Sequence, residues 1–321
     1  MNISLDRAVG ILRAADDIEI LSHHYPDGDT LGSAAALCRA LQKMGKKAVC
    51  RCSDGISPKY DFLFEGLEPQ RFRPGFVVSV DVADIKLLGA QFAAKYAGKI
   101  DLCIDHHGSH QPFAAATYVD SGAAATCEII YEIISMLGVG LDAVSARAVY
   151  TGITTDTGCF RYSNTTARTH EIASRVMKLD VDFAEINRRM FDTKSRARLE
   201  MERSVLDSIE FHFGDRCAVV VISRAMIEKS GADEGDLEGL SSIPRQVEGV
   251  DVGVTMREKK TGGYKISLRT LPPVDAAAIC MKFAGGGHTA AAGCTIDEPM
   301  EQAKAKILGA VGEYLKNPGE R

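Results

Sequence analysis

Four short stretches of the sequence carry groups able to coordinate cations. They are HHYPDGDTLGS from His23 to Ser33, VDVAD around Asp81, the triplet Asp105-His106-His107, and TTDTG around Asp156. Carboxylates and neutral imidazoles suit Mn²⁺, Mg²⁺, Co²⁺ or Fe²⁺, and the lack of thiolates in these stretches argues against structural zinc. Taken singly, each has a plainer explanation. Aspartate is a common helix N-cap, and Asp84 is expected to cap the helix that follows it. A lone histidine at a strand end is more often a satisfied surface or core residue than a ligand. Together they are harder to set aside. Three strands would deliver Asp or His to one edge of one sheet. Unneutralised charge there would repel itself by about 1 kcal/mol per close pair in water, and by more when partly buried. Bound divalent cations remove that repulsion, so the conjunction predicts a two-metal site.

The elements needed to hold such a site are readable in the same region. β-branched and apolar runs at 18–22, 47–52, 76–82 and 100–104 predict strands. Amphipathic runs at 31–44, 85–96, 124–137, 143–154 and 169–179 predict helices. Alternation of the two predicts an α/β fold with a mostly parallel sheet covered by helices on both faces. In such sheets chemistry collects beyond the carboxyl ends of the strands, where three of the four stretches begin. The charged segment at 184–210 has no Gly or Pro and predicts a linker helix. The expected organisation is a catalytic domain over 1–185, a linker over 186–212 and a smaller α/β domain over 213–321. That second domain would have strands at 217–222, 250–256 and 265–268, with helices near 274–283 and 300–314. Its FAGGGHTAAAG segment, at 283–293, reads as a glycine turn leading through His288 into a short Ala-rich helix. Free N–H groups there could cradle an anion. It is not a dinucleotide-binding fingerprint, because the run before it is helical.

Composition narrows the partners. With 321 residues the chain has room for two domains. A net charge of −5 and a pI near 5.9 disfavour long duplex DNA, which demands many cationic contacts. A short phosphate ester held by local cations or metals remains open. No apolar run approaches the ~18 residues of a membrane span. The N-terminal segment is acidic rather than basic, unlike a signal peptide. Nine cysteines without a Cys-x-x-Cys pair predict reduced thiols in the cytoplasm. The oligomeric state is left open, a homodimer among the options.

The order HHYPDGDTLGS, VDVAD, IDHH and GITTDTG, followed by FAGGGHTAAAG, resembles the DHH phosphoesterase superfamily with a DHHA1 accessory domain. Within it the chain is most similar to the branch of nanoRNases that also act on 3′-phosphoadenosine 5′-phosphate (pAp). The resemblance implies that His23 and Asp27 hold one metal, that Asp29, His106 and Asp156 hold a second, and that Asp81 bridges both. It implies two divalent cations, Mn²⁺ first among them. His107 would lie against the scissile phosphate, and Asp105 would orient the histidines. In the second domain His288, with Gly285, Gly286 and Gly287, would take the substrate phosphate, and Arg269 would contact phosphate or base. Arg161, close in sequence to Asp156, is a further candidate substrate contact. The second motif reads DVAD, with Val82 where many relatives have Thr after the bridging Asp, at a position that is not a ligand.

The activity so implied is hydrolysis of two- to five-nucleotide RNAs to mononucleotides and of pAp to AMP and phosphate. With metals on one domain and phosphate anchors on the other, the space between would measure substrate length. Three alternatives accompany it: cleavage of cyclic or linear dinucleotide signals (c-di-AMP, pApA, pGpG), a single-stranded DNA exonuclease, and a non-catalytic nucleotide-binding module. Relatives specialised for cyclic substrates usually carry membrane segments, long-strand exonucleases are usually larger, and a non-catalytic module should have lost a ligand.

Overall fold

The computed structural model describes residues 1–316 except Glu238, and the chain divides into two units between Thr193 and Lys194. In the first unit, β1 (Ile18–Leu21), β2 (Ala48–Arg51), β3 (Phe76–Val80), β4 (Leu102–Asp105) and β5 (Ala116–Val119) form one sheet, ordered β2-β1-β3-β4-β5. All four pairings are parallel. Alternation in the strands serves two cores. Ile18, Ile20, Val78, Val80, Leu102 and Ile104 join one cluster, while Leu21 and Val82 pack on the other side with Tyr96 and Ile100. The first cluster is roofed by α1 (Leu5–Ala14), α2 (Gly28–Lys43), α4 (Thr126–Leu137) and α5 (Ala143–Asp156). The second is covered by α3 (Ala90–Tyr96) and the turn before it. Helices α6 (Ala167–Val176) and α7 (Phe183–Asn187) complete the unit. The sheet is thus the parallel, two-sided one that the sequence predicts.

The second unit starts with α8 (Arg196–Asp207), followed by β6 (Glu210–His212), β7 (Cys217–Ile222), α9 (Arg224–Ser230), β8 (Val252–Glu258) and β9 (Tyr264–Thr270). After α10 (Ala276–Met281) come β10 (Gly286–His288), β11 (Ala291–Ile296) and α11 (Met300–Lys316). Its sheet runs β10-β11-β9-β8-β7-β6, antiparallel except for the β7–β8 pair. Ala303, Ile307 and Val311 of α11 pack on one face, and Met201 and Val205 of α8 pack under β7 on the other.

Four local expectations are corrected. The helix expected at 85–96 is a single tight turn, Ile85–Leu88, and then α3, separated by Gly89 at φ +79°. The linker is not one helix: α7 runs into a wide turn at Arg188–Asp192, Thr193 is extended, and Ser195 caps a fresh helix, accepting the Arg198 N–H at 2.9 Å. The Ala-rich helix after His288 is instead the hairpin β10–β11. Ala291 and Ala292 pair with Arg269 and Leu268 of β9, and inter-strand hydrogen bonding there outweighs the helical preference of alanine. Finally, a glycine between Asp27 and Asp29 suggests a turn, but Gly28 is the first residue of α2, with Asp27 as its N-cap.

Candidate metal centre

Three adjacent strand ends and two helix ends converge. The register Leu21↔Ser79 and Val80↔Ile104 ends β1, β3 and β4 side by side. His23 follows β1, Asp81 follows β3, and Asp105 closes β4 ahead of His106 and His107. Asp27 caps α2, accepting the N–H groups of Asp29 and Thr30 at 3.1 Å each, and Asp29 lies in that helix's first turn. Asp156 is the last residue of α5. Asp81 has φ +59°, a left-handed conformation uncommon for a side-chain-bearing residue and of the kind that clusters at functional sites.

His23 Nε2 lies 3.7 Å from Asp27 Oδ1 and 3.7 Å from Asp81 Oδ2. His106 Nε2 lies 3.6 Å from Asp81 Oδ1 and 3.6 Å from Asp156 Oδ2. Two donor sets result, His23 with Asp27 and Asp81, and Asp29 with His106 and Asp156, the atoms of each within 4.8 Å of one another. Asp81 turns one oxygen to each. The tautomers suit ligation. His23 Nδ1 meets the His24 carbonyl at 2.9 Å, and His106 Nδ1 meets the Ala123 carbonyl at 3.1 Å. A carbonyl only accepts, so each Nδ1 carries the proton and each Nε2 presents a lone pair to the cluster. This mixture of imidazole and carboxylate fits a divalent first-row cation or Mg²⁺.

The electrostatics point the same way. Burial pushes the Asp81 carboxyl well above its usual range, and the charges of Asp29, Asp27 and Asp156 push it further. Asp156 is pushed up to about 8 by burial, then by Asp29 and Asp27. Burial also raises Asp29, with Asp27 adding to it, despite opposing help from His106 and two backbone N–H groups. Burial raises Asp27 too, but hydrogen bonding to His23 and the N–H groups of α2 outweighs it and holds that carboxyl low. Carboxylates this crowded cannot all ionise comfortably without positive charge among them.

A supporting layer surrounds the cluster. Asp29 accepts the N–H groups of Thr126 (2.6 Å) and Cys127 (2.9 Å) at the start of α4. The Thr126 hydroxyl, fully buried, donates to Asp81 Oδ1 at 3.0 Å. Asp105, also fully buried, meets His107 Nδ1 at 2.7 Å and His110 Nδ1 at 2.7 Å. Burial opposes ionisation of Asp105, but the two imidazoles outweigh it and hold the carboxyl well below its usual range. The same contact raises His107, against the effect of its burial. Sequence reasoning missed Thr126 and His110. Their only signals were a polar residue opening an apolar helix and a third imidazole just past the triplet.

The remaining candidates are not among these donors. Arg161 is exposed, and its Nε donates to the Gly158 carbonyl of its own turn at 2.6 Å. His288, Arg269 and the three glycines belong to the second unit. There Gly286, Gly287 and His288 are exposed along β10. The pairings His288↔Ala291 and Ala291↔Arg269 place His288 and Arg269 in one cross-strand row, on one face of the sheet with small Ala291 between them. His24 turns its Nδ1 to the Leu87 carbonyl (2.6 Å), away from the donor sets.

Residues 17–153 match the DHH family, N-terminal domain, and residues 214–317 match the DHHA1 domain. Together with a relative 34% identical over 318 residues, these matches show that the chain belongs to the DHH family of phosphoesterases. That relative is the bifunctional oligoribonuclease and PAP phosphatase NrnA of Thermus thermophilus, and the match spans 96% of this chain and 94% of the relative. Among solved structures, an exopolyphosphatase-related protein from Bacteroides fragilis superposes with a TM-score of 0.87 at 24% identity, over 97% of this chain and 96% of that one. RecJ of Thermus thermophilus, solved with Mn²⁺, superposes with a TM-score of 0.56 at 15% identity, over 97% of this chain and 54% of that one.

Proposed function

We propose that the chain is a cation-dependent phosphoesterase that hydrolyses short oligoribonucleotides to mononucleotides and pAp to AMP and phosphate. The observation that carries the reading is the paired donor set on Asp81, within a chain that matches an oligoribonuclease and PAP phosphatase almost end to end. In this reading His23, Asp27 and Asp81 hold one divalent cation, and Asp29, His106, Asp156 and Asp81 hold the other. Mn²⁺ is the first choice, as the ion found with RecJ. Bound there, the cations would activate a water for attack on phosphorus and neutralise charge on the phosphoryl oxygens.

The chain's own groups do the rest. Asp105 accepts the Nδ1–H of His107 and raises the ring's proton affinity, so that Nε2 would carry a proton as well and donate it to a phosphoryl oxygen. His107 is one-third exposed, so its ring is open to substrate. His288 and Arg269, assisted by the glycines of β10, would grip a terminal phosphate or base, and Arg161 would add a weaker contact. Among the described residues no helix is long and apolar enough to cross a membrane. With nine free cysteines, the cytoplasm is the proposed location.

The test is a substrate panel with Mn²⁺ and Mg²⁺: pAp, a diribonucleotide, a long RNA, single-stranded DNA and pyrophosphate. Phosphate release from pAp and mononucleotides from the dinucleotide, both abolished in Asp156→Asn, are expected. Preference for the long strand, or activity confined to pyrophosphate, would overturn the reading.

A further inference from the structure

The turn after β4 holds an imidazole that the proposed chemistry does not use. The His110 side chain is only 6% exposed, and its ring packs 5.5 Å from that of Phe113. Its Nδ1 lies 2.7 Å from Asp105 Oδ2, whereas its Nε2 is buried without a hydrogen-bond partner. Among the described residues, the other donors to Asp105 all reach the opposite oxygen. Oδ1 accepts from the backbone of His106 (2.8 Å) and His107 (3.3 Å) and from His107 Nδ1 (2.7 Å). A fully buried carboxylate with one oxygen crowded by donors and the other unmet would rotate or draw in water. His110 prevents that.

What depends on the carboxylate's orientation is His107. Its Nδ1 lies 2.7 Å from Asp105 Oδ1 but also 3.6 Å from Asp81 Oδ1, the oxygen that faces the cation set of His106. Asp81, His106 and His107 themselves form a group able to hold an ion. His107 therefore has two carboxylates to choose between. Held by Asp105, it keeps a protonated Nδ1 and offers Nε2 to substrate. Released toward Asp81, it becomes one more member of the cation cluster.

We infer that His110 is a positioning residue: by fixing the free oxygen of Asp105, it keeps His107 out of the cation cluster and aimed at the phosphate. The inference rests on the proposed reading that His107 meets the phosphate. His110 acts as a donor through Nδ1 only, so an asparagine, whose amide nitrogen is attached at the same position of the side chain, should replace it. Leucine, of similar bulk without a donor, should not.

The experiment compares wild type, His110→Leu, His110→Asn and His107→Asn on pAp with Mn²⁺, together with Mn²⁺ binding by calorimetry. His110→Leu is expected to lower kcat about tenfold with KM little changed. Its Mn²⁺ affinity should be equal to wild type or tighter, because His107 is freed toward Asp81, whereas plain structural damage would weaken binding. His110→Asn should recover kcat to within about twofold. In wild type, proton NMR should show far-downfield Nδ1 resonances for both His107 and His110, and that measurement stands even where the leucine variant folds poorly. Full kcat in His110→Leu, or no such resonance from His110, overturns the inference. Full kcat in His107→Asn overturns instead the reading on which it rests.

Discussion

At Asp81 one carboxylate oxygen faces His23 and the other faces His106, while the buried Thr126 hydroxyl donates to the second. Thr126 thus fixes how the shared carboxylate is turned. Thr126→Val keeps the shape and removes the donor. It is expected to weaken Mn²⁺ binding and kcat/KM about tenfold, with Thr126→Ser close to wild type. Equal behaviour of the valine and serine variants would contradict this. Charge crowding makes a second prediction. Asp156 moves from an ordinary 3.8 up to about 8, so the folded, metal-free protein keeps a proton that the unfolded chain releases. A raised folded pKa contributes stability that is present at low pH and lost as pH rises through the folded value. The melting temperature of metal-free protein should therefore fall between about pH 4 and pH 8, less steeply in Asp156→Asn, and Mn²⁺ should flatten or reverse the slope. A metal-free slope unaltered by Asp156→Asn would rule this out. At this scale the sequence was informative about donors and silent about their supports. A ligand announces itself by type, but Thr126 and His110 are ordinary residues until the fold brings them within 3.0 Å of a carboxylate.

Helix α5 must approach α2 and α4 closely for Asp156 to reach the donors on the strands. A methyl group at Gly152 would sit 2.2 Å from Cys127 Sγ and 2.8 Å from Asp29 Oδ1. Gly152→Ala should cost about 1–3 kcal/mol of stability by overpacking and should also weaken cation binding, since Asp29 is displaced. Denaturant melts and calorimetry check both; loss of stability with intact Mn²⁺ affinity would separate the packing from the site. In the second unit, Gly287 has φ +144°, and a methyl group there would meet the Ala291 carbonyl at 2.6 Å. Gly287→Ala should distort the hairpin and raise KM for pAp several-fold while leaving kcat within about twofold, the pattern of lost uniform binding. An unchanged KM would count against the hairpin as a substrate anchor. Strands β1, β3 and β4 of the first unit were readable because their apolar runs are largely buried. The hairpin was not, because a run of glycines and alanines has no periodicity and takes its structure from pairing with β9. Strand β5 was missed as well: its sequence ATYV offers only two aliphatic residues and no apolar run.

Across the whole molecule, every donor of the cluster lies in the unit ending at Thr193, and each unit has its own hydrophobic clusters. Chelation should therefore lower hydrogen-exchange protection mainly around α2, α4 and the ends of β1, β3 and β4, and leave β8 and β9 nearly as protected as before. Mn²⁺ at about a hundred times its dissociation constant should restore roughly 2.7 kcal/mol. Equal loss of protection in both sheets would show that the two units do not respond separately. The sequence alone determined the candidate donors and the strand and helix ends that carry them. Strand patterning puts side chains at strand ends, and residue type decides that those ends carry imidazoles and carboxylates. Only the tertiary structure decided how the donors share the work. The turning of Asp81 between two histidines, the anchoring of Asp29 on α4 and the hold of His110 on Asp105 join residues up to 98 positions apart. Such contacts depend on packing distances of a few tenths of an ångström, and no local pattern in the chain encodes them.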